Sequence, residues 1–103
     1  MDNSFNVREE GSHLFVELQG RLDTNNAPLL MEKLSAYKGK GLDTVVFDAT
    51  KLIYIASSGI RTIIFVKQKL GSNPKIVFLN CSDDVKNVFT MTGLQNYIDF
   101  KNK

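Results

Sequence analysis

Two periods of apolar and polar residues run through this chain, and the places where one gives way to the other mark its elements. Leu14, Val16 and Leu18 alternate with Phe15, Glu17 and Gln19, the period of two expected of a strand that turns one face to a core. With residues 5–9 before it and Glu10-Gly11-Ser12 as the turn, the stretch 13–20 is predicted to complete a β-hairpin. Beyond Gly20-Arg21-Leu22-Asp23-Thr24-Asn25-Asn26 the period changes. Ala27, Leu30, Met31 and Leu34 then fall on one side of a helix reaching about residue 37. Pro28 suits its first turn, where a missing N–H costs nothing, and Lys38-Gly39-Lys40-Gly41 stops it.

Residues 44–48 form an unbroken run of β-branched and aromatic residues, the pattern of a strand covered on both faces. The stretch 49–55 reads as a connection packed down by Leu52, Ile53 and Ile55, with Tyr54 lying over it. A helix over 58–70 follows. At about 100° per residue, Ile60, Ile63, Ile64, Val66 and Leu70 share the side facing a sheet. Ser58, Arg61, Thr62, Phe65 and Lys69 lie opposite, and Lys67 must snorkel out of the apolar stripe. Phe65, an apolar ring on a polar face, is a candidate partner contact.

Gly71-Ser72-Asn73-Pro74 is a turn, and 75–79 is another strand. Ser82-Asp83-Asp84 is a helix start with a cap and an acidic first turn. Val85, Val88 and Phe89 form that helix's buried stripe, Gly93 ends it, and Leu94 with 97–100 makes a short final strand or packed tail. Strands alternating with helices in this order predict an α/β fold. It has a small mixed sheet of about four to five strands, parallel at its centre, with three or more helices packed on it. Functional groups in such sheets gather beyond the carboxyl ends of the strands. Asp23, Asp48, Ser57 and Ser58 are therefore expected to converge at one end. Hydroxyls at a helix start meet unpaired N–H groups and a positive dipole end, and are expected to be accessible there.

Composition narrows the function. The 103 residues suffice for a single domain over 1–103, and the 43% hydrophobic and 23% charged content is that of an ordinary globular chain. A net charge of +2, with scattered basic residues, gives no reason to expect a nucleic-acid partner. No apolar run approaches the roughly 18 residues of a membrane span, and no leader pattern is present, so no membrane insertion and cytoplasmic residence are expected. Cys81 stands alone, which excludes an internal disulfide. His13 is the single histidine, with no partner for a metal, so it is expected at the surface and neither metal nor cofactor is expected. No base stands within recognisable reach of a nucleophile, which argues against an enzyme.

Three stretches carry a resemblance. Gly20-Arg21-Leu22-Asp23 is similar to a strand-ending G-x-L-D. The segment from Asp48 through Ala56-Ser57-Ser58-Gly59-Ile60 is similar to a strand, linker and D-S-S-G-L run. Val88-Phe89-Thr90-Met91-Thr92-Gly93-Leu94 is similar to a closing helix with a G-L end. In this order and spacing, over about residues 4 to 100, they resemble the STAS domains, and among these the bacterial anti-sigma-factor antagonists. The resemblance implies a partner-switching protein. Its partner would be a serine kinase that also serves as the anti-sigma factor, and a PP2C-type phosphatase would reverse the modification. The phosphoacceptor carried over is Ser58, in an environment of Asp23, Asp48, Ser57 and Gly59, with Thr24, Asn25, Arg61, Thr62 and Phe65 contacting the partner. The chain has no glycine-rich phosphate loop of its own, so nucleotide and magnesium would come with the kinase. Ala56 departs from the family's usual aspartate, leaving Ser57 as the capping candidate. It keeps open a second reading, a non-phosphorylated STAS scaffold subunit of a larger transport or sensory complex. The sequence leaves the oligomeric state open.

Overall fold

The computed structural model describes residues 5–71 and 73–102. The hairpin lies where the alternation places it. Strands β1 (Phe5–Glu10) and β2 (His13–Leu22) pair antiparallel, and Gly11 in the turn has a φ of 61°, a left-handed conformation that glycine adopts without Cβ strain. There follow α1 (Ala27–Ser35), β3 (Thr44–Ile55), α2 (Ser57–Lys69), β4 (Lys75–Leu79), α3 (Asp83–Met91), a 3-10 turn over Gln95–Tyr97, and β5 (Asp99–Lys101). The five strands stand in chain order in one sheet, β1-β2-β3-β4-β5. Every pair after the first is parallel, giving the mixed sheet and helices that the periodicity predicts. Ser82 caps α3 as expected, its Oγ accepting from the Val85 N–H at 3.2 Å. Of the predicted turn after α2, Ser72 lies outside the described residues.

Chain-order strands joined by right-handed crossovers place successive helices on the same face of a sheet. The burial pattern follows. Leu14, Val16, Leu18, Val45, Phe47, Ile76 and Phe78 point into a single core shared with Leu30, Leu34, Ile63, Val66, Val85 and Phe89. Phe78 is its hinge, stacked on Phe47 and edge-on to Phe89, each at 5.0 Å between ring centroids. Coverage of residues 44–48 on both faces is therefore not realised. Val45 and Phe47 are fully buried, whereas Val46 and Asp48 on the opposite face are only half-buried.

The larger correction concerns 49–55, which is strand and not a connection. β3 continues alongside β2 to the pair Leu22↔Ile55, but β4 stops at Leu79↔Asp48 and β1 at Phe5↔Leu18. Among the described residues, the last part of β2–β3 thus projects beyond the five-stranded sheet as a two-stranded ribbon. Two register shifts occur in it: Glu17↔Asp48 gives way to Gln19↔Lys51, and Gly20↔Leu52 to Arg21↔Tyr54. Each time β3 advances one residue more than β2, which is the signature of a β-bulge. The inward-facing residues of β3 consequently change from every second (Val45, Phe47, Ala49) to every third (Leu52, Ile55). That spacing is why the stretch does not read as a strand.

Candidate functional site

The bulged ribbon ends in a sharp transition. The Ala56 N–H donates to the Leu22 carbonyl at 2.8 Å, and α2 begins at the next residue. This single bond ties the start of α2 to the strand that leads into Asp23. Gly59 allows the approach: a Cβ there would meet Ile55 Cγ1 at 2.7 Å and Leu22 Cδ2 at 3.0 Å. Only a residue without a side chain lets the first turn of α2 settle onto the ribbon.

The loop on the other side of the junction is built by one residue. Asn26 is 6% exposed; its Nδ2 donates to the Arg21 carbonyl at 2.6 Å, and its Oδ1 accepts from the Asp23 N–H at 2.8 Å. The Asp23 carbonyl accepts from the Ala27 N–H at 2.8 Å, and Asp23 Oδ1 accepts from the Asn25 N–H at 3.0 Å, an Asx turn. Asn26 was legible only as a residue before a helix. It stands at the N-cap of α1 but makes no side-chain cap bond, because its amide faces back to the strand instead. Thr24 and Asn25 are left exposed at the rim.

The two serines divide differently from the expectation. Ser57 is the first residue of α2 rather than its cap; that position belongs to Ala56, which makes no side-chain cap bond. Ser57 is exposed, while Ser58 Oγ is buried and without a hydrogen-bond partner. The expected accessibility of hydroxyls at this helix start therefore holds for Ser57 and not for Ser58 Oγ. Thr62 is also corrected. It is fully buried, its Oγ1 donating to the Ser58 carbonyl at 3.1 Å and lying 3.5 Å from the Ala27 carbonyl. The neighbouring α1 covers what the isolated helix shows as a polar face, so Thr62 joins α1 to α2 and presents no side chain to a partner. Phe65 is half-buried against the core with the Lys38 ammonium 5.7 Å from its ring centre. Arg61 remains exposed.

Asp48 is removed from the site. It lies in the middle of β3, on the face opposite the helices, where its Oδ1 accepts from Thr50 Oγ1 at 2.6 Å. Ile55 lies seven residues further along β3, on the order of 20 Å away at the usual strand rise. The expected convergence thus brings together Asp23, Ser57, Ser58 and Gly59, and fails for Asp48 because β3 does not end there. Arg21 at the end of β2, Lys51 in the ribbon and Arg61 in α2 are exposed, and Arg21 Nε lies 3.7 Å from an Asp23 carboxylate oxygen.

Residues 4–103 match the family model of the STAS domain. The chain belongs to the STAS family. It is 27% identical over 104 residues to the anti-sigma-B factor antagonist of Listeria monocytogenes, covering 99% of this chain and 91% of that protein. The anti-sigma factor antagonist SpoIIAA in its unphosphorylated form has the same fold, with a TM-score of 0.81 and 22% identity over 93% of this chain and 86% of that one. Its phosphorylated form from Bacillus, also 22% identical, covers 93% of this chain and 89% of that one with a TM-score of 0.71. Among the described residues of this STAS domain, no helix is long and apolar enough to cross a membrane, and no group of three or more His, Cys, Asp or Glu could hold a metal.

Proposed function

We propose that this STAS domain is an anti-sigma-factor antagonist that switches partners through phosphorylation of Ser58. Unmodified, it binds a serine-kinase anti-sigma factor and displaces the sigma factor. The kinase passes the γ-phosphoryl group of ATP to Ser58 Oγ, its own base takes the hydroxyl proton, and ADP leaves. A PP2C-type phosphatase returns the hydroxyl. The observation that carries the reading is Ser58 itself, a serine in the first turn of α2 at the junction with β2, whose hydroxyl the fold gives no hydrogen-bond partner.

The physics of the switch follows from that position. A phosphate adds about −1.5 to −2 charges at pH 7. At a helix N-terminus it is favoured by the dipole and by unpaired N–H groups, so the fold itself tolerates it. The same charge cannot stay where the hydroxyl lies, so the modified side chain must rotate outward onto the surface that a partner would cover. Release needs little energy, since about 1.4 kcal/mol changes affinity tenfold.

Ala56 supports a second reading, a constitutive scaffold, because no side chain caps the helix or orients the serine. Intact mass of the protein from its native cells, beside Ser58→Ala, separates the two. A single-phosphate species in the wild type that is absent from Ser58→Ala is expected. Absence of phosphate from both, even with the host's anti-sigma kinases and ATP added, would leave the scaffold.

A further inference from the structure

Lys67 leaves the apolar stripe of α2 as its sequence position predicts, and its ammonium does not reach a carboxylate. Nζ donates to the carbonyl of buried Pro74 at 2.9 Å. An ammonium has three N–H donors, and among the described residues no Asp or Glu lies within ion-pair distance of this one. Lys67 lines a half-open cleft of about 460 Å³, within the usual size range of small-molecule sites. Ile63 and Ile64 of α2, Ile76 of β4, and Leu94 and Ile98 on either side of the 3-10 turn give the cleft apolar walls, and Lys67 is the one charged residue among its described lining. Lys67 and the 59% exposed Tyr97 also border an adjoining polar hollow. There Lys75 is matched by Asp99 at 3.4 Å, and Asp43 is exposed to water. The cation therefore stands where an apolar cleft meets a polar one.

From this arrangement we infer that the cleft between α2, β4 and the 3-10 turn binds an amphipathic monocarboxylate of the fatty-acid class. The aliphatic tail lies among the isoleucines, where the water it displaces has few polar partners. The carboxylate lies at the boundary and accepts from the Lys67 ammonium, a charge-assisted bond that is stronger beside aliphatic walls than in open water. Its other side keeps contact with solvent in the polar hollow, which limits the cost of desolvation. Asp43 in that hollow opposes further negative charge, so one carboxylate is favoured over a phosphate dianion. Lys67 lies nine residues along α2 from Ser58, on the order of 14 Å at the usual helix rise. The site is thus separate from the phosphoacceptor, and the inference does not rest on the proposed function.

The test is titration of the full chain at neutral pH with octanoate, far below its micelle concentration, followed by NMR of the isoleucine methyl groups. Ile63, Ile64, Ile76 and Ile98 should shift in a saturable way, with a Kd below about 1 mM. Ile53 is the internal control: it is the extra residue of the second bulge of β3 and, instead of packing down, is 69% exposed on the ribbon. Its methyl should not move. Lys67→Met keeps the apolar stem and removes the cation, and is expected to weaken octanoate binding tenfold or more. Lys69→Met, exposed on the same helix and outside the cleft, should bind as the wild type does. Octanol, with the same tail and no charge, should bind the wild type more weakly than octanoate and bind Lys67→Met equally well. Circular dichroism checks that both variants fold. The inference is overturned if no saturable shift occurs up to several millimolar octanoate, or if Ile53 shifts as much as the cleft isoleucines. Octanoate binding by folded Lys67→Met within twofold of the wild type overturns it as well.

Discussion

Replacing Ser58 with alanine is expected to stabilise the fold. Ser58 Oγ is buried without a partner, and an unsatisfied buried polar group costs about 1–3 kcal/mol. Alanine also has the higher helix propensity, by roughly half a kcal/mol. Against these stands the lost packing of a single oxygen, with about 0.1–0.2 kcal/mol for each atomic contact. The balance is a gain of about 1–2 kcal/mol, or roughly 5–15 °C in Tm for a domain of this size. Urea unfolding of wild type and variant at the same pH is the assay; with a slope of about 1–3 kcal/mol per molar, the midpoint should rise by roughly 0.3 M or more. Ser57→Ala is the matched control: its side chain is exposed, and the change should stay within about 0.5 kcal/mol. A Ser58→Ala midpoint equal to or below that of the wild type would refute the reasoning, since the hydroxyl would then be hydrogen-bonded in solution. A gain would identify a hydroxyl retained at the expense of stability, as expected of a group whose use is not structural.

Other consequences are equally direct. Asn26→Ala removes both the donor to the Arg21 carbonyl and the acceptor for the Asp23 N–H. It should lower stability by about 2–3 kcal/mol in the same urea assay, and hydrogen exchange should speed up at Asp23. Gly59→Ala sets an overpacking cost of about 1–3 kcal/mol against a helix gain of up to about 1 kcal/mol. With Ile55 Cγ1 at 2.7 Å from the added Cβ, a net loss is expected, and trimming Leu22 to alanine in the same chain should show a favourable coupling in a double-mutant cycle. Burial pushes the Cys81 thiol up to about 11, against a smaller opposing pull from Lys86. Its alkylation should therefore be slow at neutral pH and accelerate up to about pH 11. Because the folded chain then keeps a proton that the unfolded chain loses above about pH 9, this group's contribution to stability is full below pH 9 and declines between pH 9 and 11. A Cys81→Ala variant should lack that part of the alkaline decline.

What the sequence by itself determined is the set of elements whose signals are local. The period of two in Leu14, Val16 and Leu18, the 3.6-residue stripe of Ile60, Ile63 and Val66, and the cap at Ser82 each depend on contacts within or next to one element. Those elements and their order follow from the chain alone, and with them the mixed sheet. The helix start at Ser57, Ser58 and Gly59 was also legible, because small residues before a helical stripe have few other readings, although the strand that runs directly into it reads as a connection. The tertiary structure decided everything that depends on which face a neighbour covers. Thr62 reads as polar surface until α1 is laid against it. Val46 and Asp48 read as interior until the crossovers put every helix on the other side. Asp48 reads as a strand end until β2 is found to carry β3 seven residues further. Ile53 reads as packed apolar filler, since a bulge leaves no periodic trace: it exists only as a mismatch in register between two strands. Burial, coverage and register are properties of pairs of elements, and a pattern along one chain specifies the elements before it specifies the pairs.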